Sequence, residues 1–315
     1  MLEQEWLFYL KKFLIENESV IKSKDEDCAI IKINKNKYLL ITTDALVEGV
    51  HFDLGYTSFW DLGVKTASVN LSDISACGGE PKWALLTIGS PYPITKKFAD
   101  EFMKALVKTL EKYGAVLVGG DTVKSSSLFF NLTLIGETRN PVLRSTAREG
   151  DLIFVSRPLG ESSAFLRLIK NKAEEIPENL KKAHLQPEPE VELGLLLSKE
   201  RIATAMIDIS DGFALDLWRL CQASQKGAEI YQDKIPIGKD ATLEDALFGG
   251  EDYALLFTVS EKDIKKLEKI FQILNRTLYF VGKILEEKKI YLVKDSNRKE
   301  LKPRGFDHFV EISFK

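Results

Sequence analysis

Six aspartates of this 315-residue chain stand beside small or hydroxyl-bearing residues, where a strand is expected to end or a glycine permits a sharp turn. They are Asp27; Asp44, in Thr42-Thr43-Asp44; Asp73, in Asn70-Leu71-Ser72-Asp73; Asp121, in Gly119-Gly120-Asp121-Thr122; and Asp208 and Asp211, in Asp208-Ile209-Ser210-Asp211-Gly212. Carboxylates and hydroxyls in this company suit a hard cation such as Mg²⁺, which takes oxygen ligands and shares its shell with water and phosphate. Each aspartate also has a structural alternative. Asp211 could cap a helix starting near Phe213, Asp121 could make an Asx turn, and Asp73 could be an ordinary polar residue of its helix. Six such residues across both halves of the chain favour a shared metal site.

Other phosphate-handling devices are missing. No GxxxxGK[ST] loop occurs, no GxGxxG follows a strand, and HRD and DFG sequences are absent. The Gly119-Gly120 pair could bring main-chain N–H groups close to a phosphate, or could simply end a strand. Arg144 could grip phosphate oxygens with both arms of its guanidinium, or be a surface charge. The three histidines, His51, His184 and His308, form no triad with a serine or cysteine. No protein base is therefore expected. Phosphoryl transfer needs positioning and charge neutralisation more than a base, and a phosphomonoester with a second pKa of about 6 is already mostly ionised at neutral pH.

Composition narrows the class. Lysine and arginine (44) nearly balance aspartate and glutamate (47), for a net charge of -3, so no broad basic field awaits nucleic acid or a membrane surface. Cys28, Cys77 and Cys221 are too few and too scattered for a disulfide framework, and their spacing does not suit zinc. Buried thiols in a reducing cytoplasm are expected. The N-terminus carries Glu3 and Glu5 ahead of its apolar residues, unlike a signal peptide, and no apolar run approaches the roughly 18 residues that span a membrane.

The elements that must position these groups read as follows. Trp6, Leu7, Leu10, Phe13 and Leu14 fall at helical spacing. Residues 28–33 and 38–43 predict a hairpin, 60–76 a helix ending at Gly78-Gly79-Glu80-Pro81, 83–88 a strand, 96–113 a helix, and 115–118 and 128–135 strands. Residues 138–150 read as a linker. Beyond it, strands at 152–156, 204–207, 228–231, 253–259 and 279–284 alternate with helices near 191–199, 213–226 and 261–271, and residues 170–189 read as a polar excursion. The pattern predicts two α/β domains, residues 1–137 and 138–315.

At this point the motifs resemble a known family. Glu26-Asp27-Cys28-Ala29, the run Thr42–Phe52, NLSDISACGGEP at 70–81, Gly119–Thr122, DISDG at 208–212, GGEDYALLFT at 249–258 and GFDHF at 305–309 together resemble the thiamine-monophosphate kinases, in the superfamily of aminoimidazole ribonucleotide synthetase and selenophosphate synthetase. The resemblance runs through nearly the whole chain. It implies a first domain whose mixed sheet pairs in a homodimer to form a β-barrel, a second α/β domain completing the site, and ATP as co-substrate bound beneath several Mg²⁺ ions. It implies metal ligands in Asp27, Thr42, Thr43, Asp44, Asp73, Asp121, Asp208 and Asp211, with Asp73, Asp121 and Asp211 closest to the chemistry. Nucleotide would be held by Gly120, Asp121, Arg144 and Ser210. Thiamine monophosphate would lie against His51, Glu251 and Phe306, where a carboxylate and an aromatic face suit a cationic thiazolium; core and turn roles for Phe306 and Glu251 stay open.

The implied reaction is direct in-line transfer of the ATP γ-phosphoryl to thiamine monophosphate in cytoplasmic thiamine diphosphate biosynthesis. Two positions depart from the family pattern: Glu26 replaces a frequent Asp, and Glu190 a frequent Arg. The alternatives are another ATP-dependent enzyme of the superfamily, such as aminoimidazole ribonucleotide synthetase, or a non-catalytic module that binds Mg²⁺ and nucleotide without turnover.

Overall fold

Strict alternation builds the first sheet. In the strand Phe129–Thr138, Phe130, Leu132 and Leu134 are buried while Phe129, Asn131 and Thr133 face the other way. The computed structural model describes residues 3–295, 297–306 and 308–309, so Asp307 of the GFDHF motif lies outside it. The first domain runs α1 (Glu3–Leu10), β1 (Val20–Lys22), β2 (Ala29–Asn34), β3 (Lys37–Val47), α2 (Phe59–Ala76), β4 (Glu80–Ser90), α3 (Lys96–Lys112), β5 (Val116–Lys124) and β6 (Phe129–Thr138). Its sheet has the order β1-β2-β3-β6-β4-β5 and is mixed, with β4 and β5 parallel and the other pairs antiparallel.

Helix α2 starts at a capping box between Ser58 and Asp61, which satisfies two backbone donors at its end. It is buried on nearly every side, since sheet and α3 cover one flank and the second domain the other. Leu62, Leu71 and Ile74 of α2 join Phe102, Phe130 and Leu132 in the first core. The opposite face of the sheet is bare. Trp83 (40%), Leu85 (43%), Val116 (50%) and Val118 (57%) remain exposed there.

The second domain comprises β7 (Leu152–Val155), α4 (Glu161–Lys170), α5 (Glu178–Leu185), α6 (Val191–Lys199), β8 (Ala203–Ile209), α7 (Phe213–Ala223), β9 (Gly227–Tyr231), α8 (Leu243–Phe248), β10 (Ala254–Val259), α9 (Ile264–Ile273), β11 (Tyr279–Leu285), β12 (Ile290–Lys294) and β13 (Asn297–Glu300). Its mixed sheet, β13-β12-β9-β11-β7-β10-β8, has one parallel pair, β12 with β9. Both faces are covered. Leu256 and Ile207 enter one apolar cluster and Leu255, Phe257 and Met206 the other, which is why β10 reads as an unbroken apolar run.

The two α/β domains with mixed sheets match the expectation. The first sheet is open between its edge strands β1 and β5, so the described residues of one chain form no closed barrel. The three cysteines are buried and unpaired, and no helix of the described residues is long and apolar enough to cross a membrane.

Several local expectations needed revision. Residues 170–189 contain α5, which buries Leu180 and His184 against α4. Polar neighbours hid its two inward residues. Strand β5 continues through Gly119–Thr122 to Lys124, so these glycines lie within an edge strand. A Cβ on Gly120 would come within 1.7 Å of the Leu86 carbonyl oxygen, which only glycine avoids. Residues 138–150, read as a linker, are tied to the second domain: Ala147 N–H donates to Ser224 Oγ at 3.0 Å and Ser224 Oγ donates to the Arg144 carbonyl at 2.6 Å.

Candidate active site

The sequence of β3, Thr42-Thr43-Asp44, splits by alternation. Thr42 faces inward and donates its hydroxyl to Asp73 of α2, whereas Thr43 turns outward to Asn131 and Thr133. Asp44 is anchored through its N–H to Asn70 Oδ1 at 3.1 Å, and Asn70 is itself fully buried in α2. The motif NLSD thus works as a unit: Asn70 fixes β3, Ser72 donates to Asp208 Oδ2 across the domain boundary at 2.6 Å, and Asp73 faces the same space.

Asp27, Asp73 and Asp208 each bring a carboxylate oxygen within 4.8 Å of the others. Burial, then Asp44, Asp208 and Asp27, raises Asp73 well above the ordinary carboxylate range. Burial, then Asp27, does the same to Asp208. Asp44 is pushed up to about 6 by burial and by Asp211 and Asp27. Five of the six aspartates therefore share one electrostatic neighbourhood, built from both domains. Asp121 stands apart. It lies exposed on β5, paired with Thr87, which is in turn opposite Asn131, so it belongs to the open face of the sheet.

Arg144 occupies the edge of the carboxylate group. Its guanidinium engages both oxygens of Asp27, through Nε at 3.0 Å and through Nη2, and its main-chain N–H donates to Glu26 at 2.8 Å. Burial disfavours its charge, but Asp27 and Glu26 outweigh that cost and hold it protonated. Glu26 is pushed up to about 7, chiefly by burial.

The loop carrying Ser210 and Asp211 is shaped by a residue the sequence reading did not single out. Asp216 Oδ2 accepts N–H bonds from Ser210, Asp211 and Gly212 at 3.1, 3.0 and 3.1 Å, and Arg219 ties Asp216 to Asp211. Gly212 adopts φ +121°, which favours glycine.

His51, Glu251 and Phe306 also converge. Phe306 N–H donates to the Asp211 carbonyl at 3.0 Å, its ring meets His308 edge-on at 4.8 Å, and His308 lies 5.1 Å from His51. His51 is pushed down to about 4, chiefly by burial. Glu251 sits at φ 63° and Tyr253 at φ 47°, a left-handed backbone held by N–H bonds to the carbonyls of Ser210 at 2.7 Å and Ile209 at 2.8 Å. Burial opposes ionisation of Glu251, yet Lys65 at 2.8 Å and His184 at 3.1 Å keep its carboxyl far below the usual range. Neither Lys65 nor His184 carried a site role in the sequence, because their common partner Glu251 lies far from both along the chain.

Two α/β domains close on a carboxylate cluster to which both contribute. Family models for the AIR synthase related protein match accordingly, the N-terminal domain at residues 25–138 and the C-terminal domain at 148–295. The thiamine-monophosphate kinase of Buchnera aphidicola subsp. Acyrthosiphon pisum is 42% identical over 319 residues, 96% of each chain. That of Haemophilus influenzae is 35% identical over 320 residues, again 96% of each. The solved structure of AaThiL complexed with AMPPCP and TMP matches with a TM-score of 0.85 at 33% identity, covering 98% of this chain and 97% of that one. The chain belongs to the thiamine-monophosphate kinase family.

Proposed function

We propose that this protein transfers the γ-phosphoryl of ATP to thiamine monophosphate, giving thiamine diphosphate and ADP. The observation that carries the reading is the meeting of Asp27, Asp73 and Asp208 within 4.8 Å at the domain boundary, flanked by Asp44 and Asp211. Relatives named thiamine-monophosphate kinase and the AMPPCP and TMP complex of a relative give the substrate pair.

The donor set fits divalent cations. Clustered carboxylates raised by burial and mutual repulsion lack the counter-charge that Mg²⁺ would bring. Asp27, Thr42, Asp44, Asp73, Asp208 and Asp211 would hold the ions, while the Thr43 hydroxyl, bonded to Asn131, lies with Asp121 on the open face of the sheet. When bound, the metal would neutralise charge on the ATP phosphates. Arg144 is poised to exchange Asp27 for phosphate oxygens, while Ser210 and Gly120 approach the nucleotide. His51, Glu251 and Phe306 orient thiamine monophosphate. Its terminal phosphate oxygen attacks the γ-phosphorus as the bond to the ADP oxygen breaks, with no protein base and no covalent intermediate.

The bare apolar face around Trp83, Leu85, Val116 and Val118 is the surface through which a homodimer would pair. Asp121 lies on that face, so its part in binding metal or nucleotide depends on pairing. We place the protein in the cytoplasm, where ATP is made and held.

Purified protein given ATP, Mg²⁺ and thiamine monophosphate should form thiamine diphosphate and ADP in equal amounts, and EDTA should abolish both. ATP binding without thiamine diphosphate would redirect the reading to another acceptor.

A further inference from the structure

One buried ammonium touches both sides of the proposed thiamine pocket. Lys65 lies in the middle of α2 with only 1% of its side chain exposed, and it uses all three of its donors. Its Nζ is 2.8 Å from Glu251 Oε1, 3.3 Å from the His51 carbonyl oxygen and 3.5 Å from His184 Nε2. His51 belongs to the first domain and Glu251 to the second, so the lysine spans the domain boundary at the pocket.

His184 completes the arrangement from α5. Its Nδ1 lies 3.1 Å from Glu251 Oε2 and 2.9 Å from Ser162 Oγ, leaving Nε2 turned toward the ammonium. A neutral ring that donates from Nδ1 and accepts at Nε2 satisfies every one of these contacts. Each Glu251 oxygen thus has a fixed partner, and the carboxylate cannot rotate without breaking one of them. A buried lysine is costly unless paired and hydrogen-bonded, and here it is both.

We propose that Lys65 is a positioning residue for the acceptor substrate: its ammonium, anchored on the His51 main-chain carbonyl, fixes the Glu251 carboxylate in one geometry toward the thiamine moiety. This rests on the phosphoryl-transfer reading above, with His51 and Glu251 as acceptor-binding residues. Because the ammonium neutralises Glu251, the carboxylate offers the ligand directed hydrogen-bond acceptance more than net negative charge. The nucleotide end of the site, around Ser210 and the aspartates, makes no contact with Lys65 among the described interactions.

The test uses the full chain and measures KM for thiamine monophosphate and for ATP separately in wild type, Lys65→Met, Glu251→Gln and the double variant. In Lys65→Met the KM for thiamine monophosphate should rise about 10–100-fold, within the span of coupling between contacting residues, while the KM for ATP stays within about 2-fold of wild type. The double variant should be no worse than Glu251→Gln alone, since Lys65 acts through Glu251. Equal rises in both KM values, an unchanged KM for thiamine monophosphate, or losses that multiply in the double variant would each overturn the proposal. If Lys65→Met leaves too little folded protein, the double variant, which removes both buried charges, is compared with Glu251→Gln and decides the matter by the same criterion. A wild type that turns over no thiamine monophosphate sinks the function itself; a wild type that does, beside an unaffected Lys65→Met, sinks only the role of Lys65.

Discussion

Ser72 of the first domain donates its hydroxyl to Asp208 of the second at 2.6 Å, and both side chains are almost wholly buried. The bond closes the domain boundary at the carboxylate cluster. Replacing Ser72 by alanine leaves a buried acceptor without its donor and should cost about 1–3 kcal/mol. Urea unfolding would report it, and the Mg²⁺ concentration for half-maximal activity should rise in the same variant. An unaltered urea midpoint together with an unaltered Mg²⁺ requirement would show that the bond carries nothing.

Stability should depend on pH and on metal together. Asp44 is pushed up to about 6, and burial with neighbouring carboxylates raises Asp73 and Asp208 well above the ordinary range, so in the metal-free protein these groups hold protons that the unfolded chain releases near pH 4. Stability is then full below the unfolded pKa and is lost as pH rises through the folded values. Melting temperatures in EDTA should fall from pH 5 to pH 8. Mg²⁺ binds the ionised forms, so its stabilising shift should be small at pH 5 and large at pH 8. A metal shift of equal size at both pH values would argue against the cluster as the metal site.

Gly120 cannot accept a side chain. A Cβ placed 1.7 Å from the Leu86 carbonyl oxygen must push β5 away from β4. Gly120→Ala should destabilise the protein by about 1–3 kcal/mol, as overpacking does, and should speed hydrogen exchange along β5. Retained wild-type exchange in β5 would mean the edge strand shifts without cost.

The bare sheet face predicts a self-associating protein. Light scattering should give twice the chain mass for wild type and the single-chain mass for Leu85→Glu, because a buried glutamate without a partner opposes pairing. The monomeric variant should also lose activity if Asp121 must be delivered through that interface. A monomeric wild type with full turnover would remove both the dimer and any role for Asp121.

Much of this site was legible because the chemistry lay in short, local motifs. Thr42–Asp44, NLSD and DISDG each place their polar groups within one turn or strand, and the fold brings five of the six aspartates together. Part of what could not be read depended on partners far away in sequence. Lys65 has no local motif around it, and its role shows only through Glu251 and His184, far along the chain. Asp216, which accepts three consecutive N–H groups, stands outside the DISDG motif and drew no attention there. Glu190, a departure from the family pattern, is held by Arg157 and Arg276, so its charge is met within the second domain. The alternation of β10 was hidden because both faces are buried, and α5 was hidden because only two of its residues point fully inward.

The most direct test of the central claim is thiamine diphosphate formation by Asp73→Ala beside wild type, at saturating ATP and thiamine monophosphate with excess Mg²⁺, after circular dichroism has established that the variant is folded. Asp73 lies at the centre of the cluster, in contact with Thr42 and within 4.8 Å of Asp27 and Asp208. Its loss should lower turnover at least about 100-fold, as removal of a preorganised charge-stabilising group does. A folded Asp73→Ala that makes thiamine diphosphate at the wild-type rate would place the chemistry somewhere other than this carboxylate cluster.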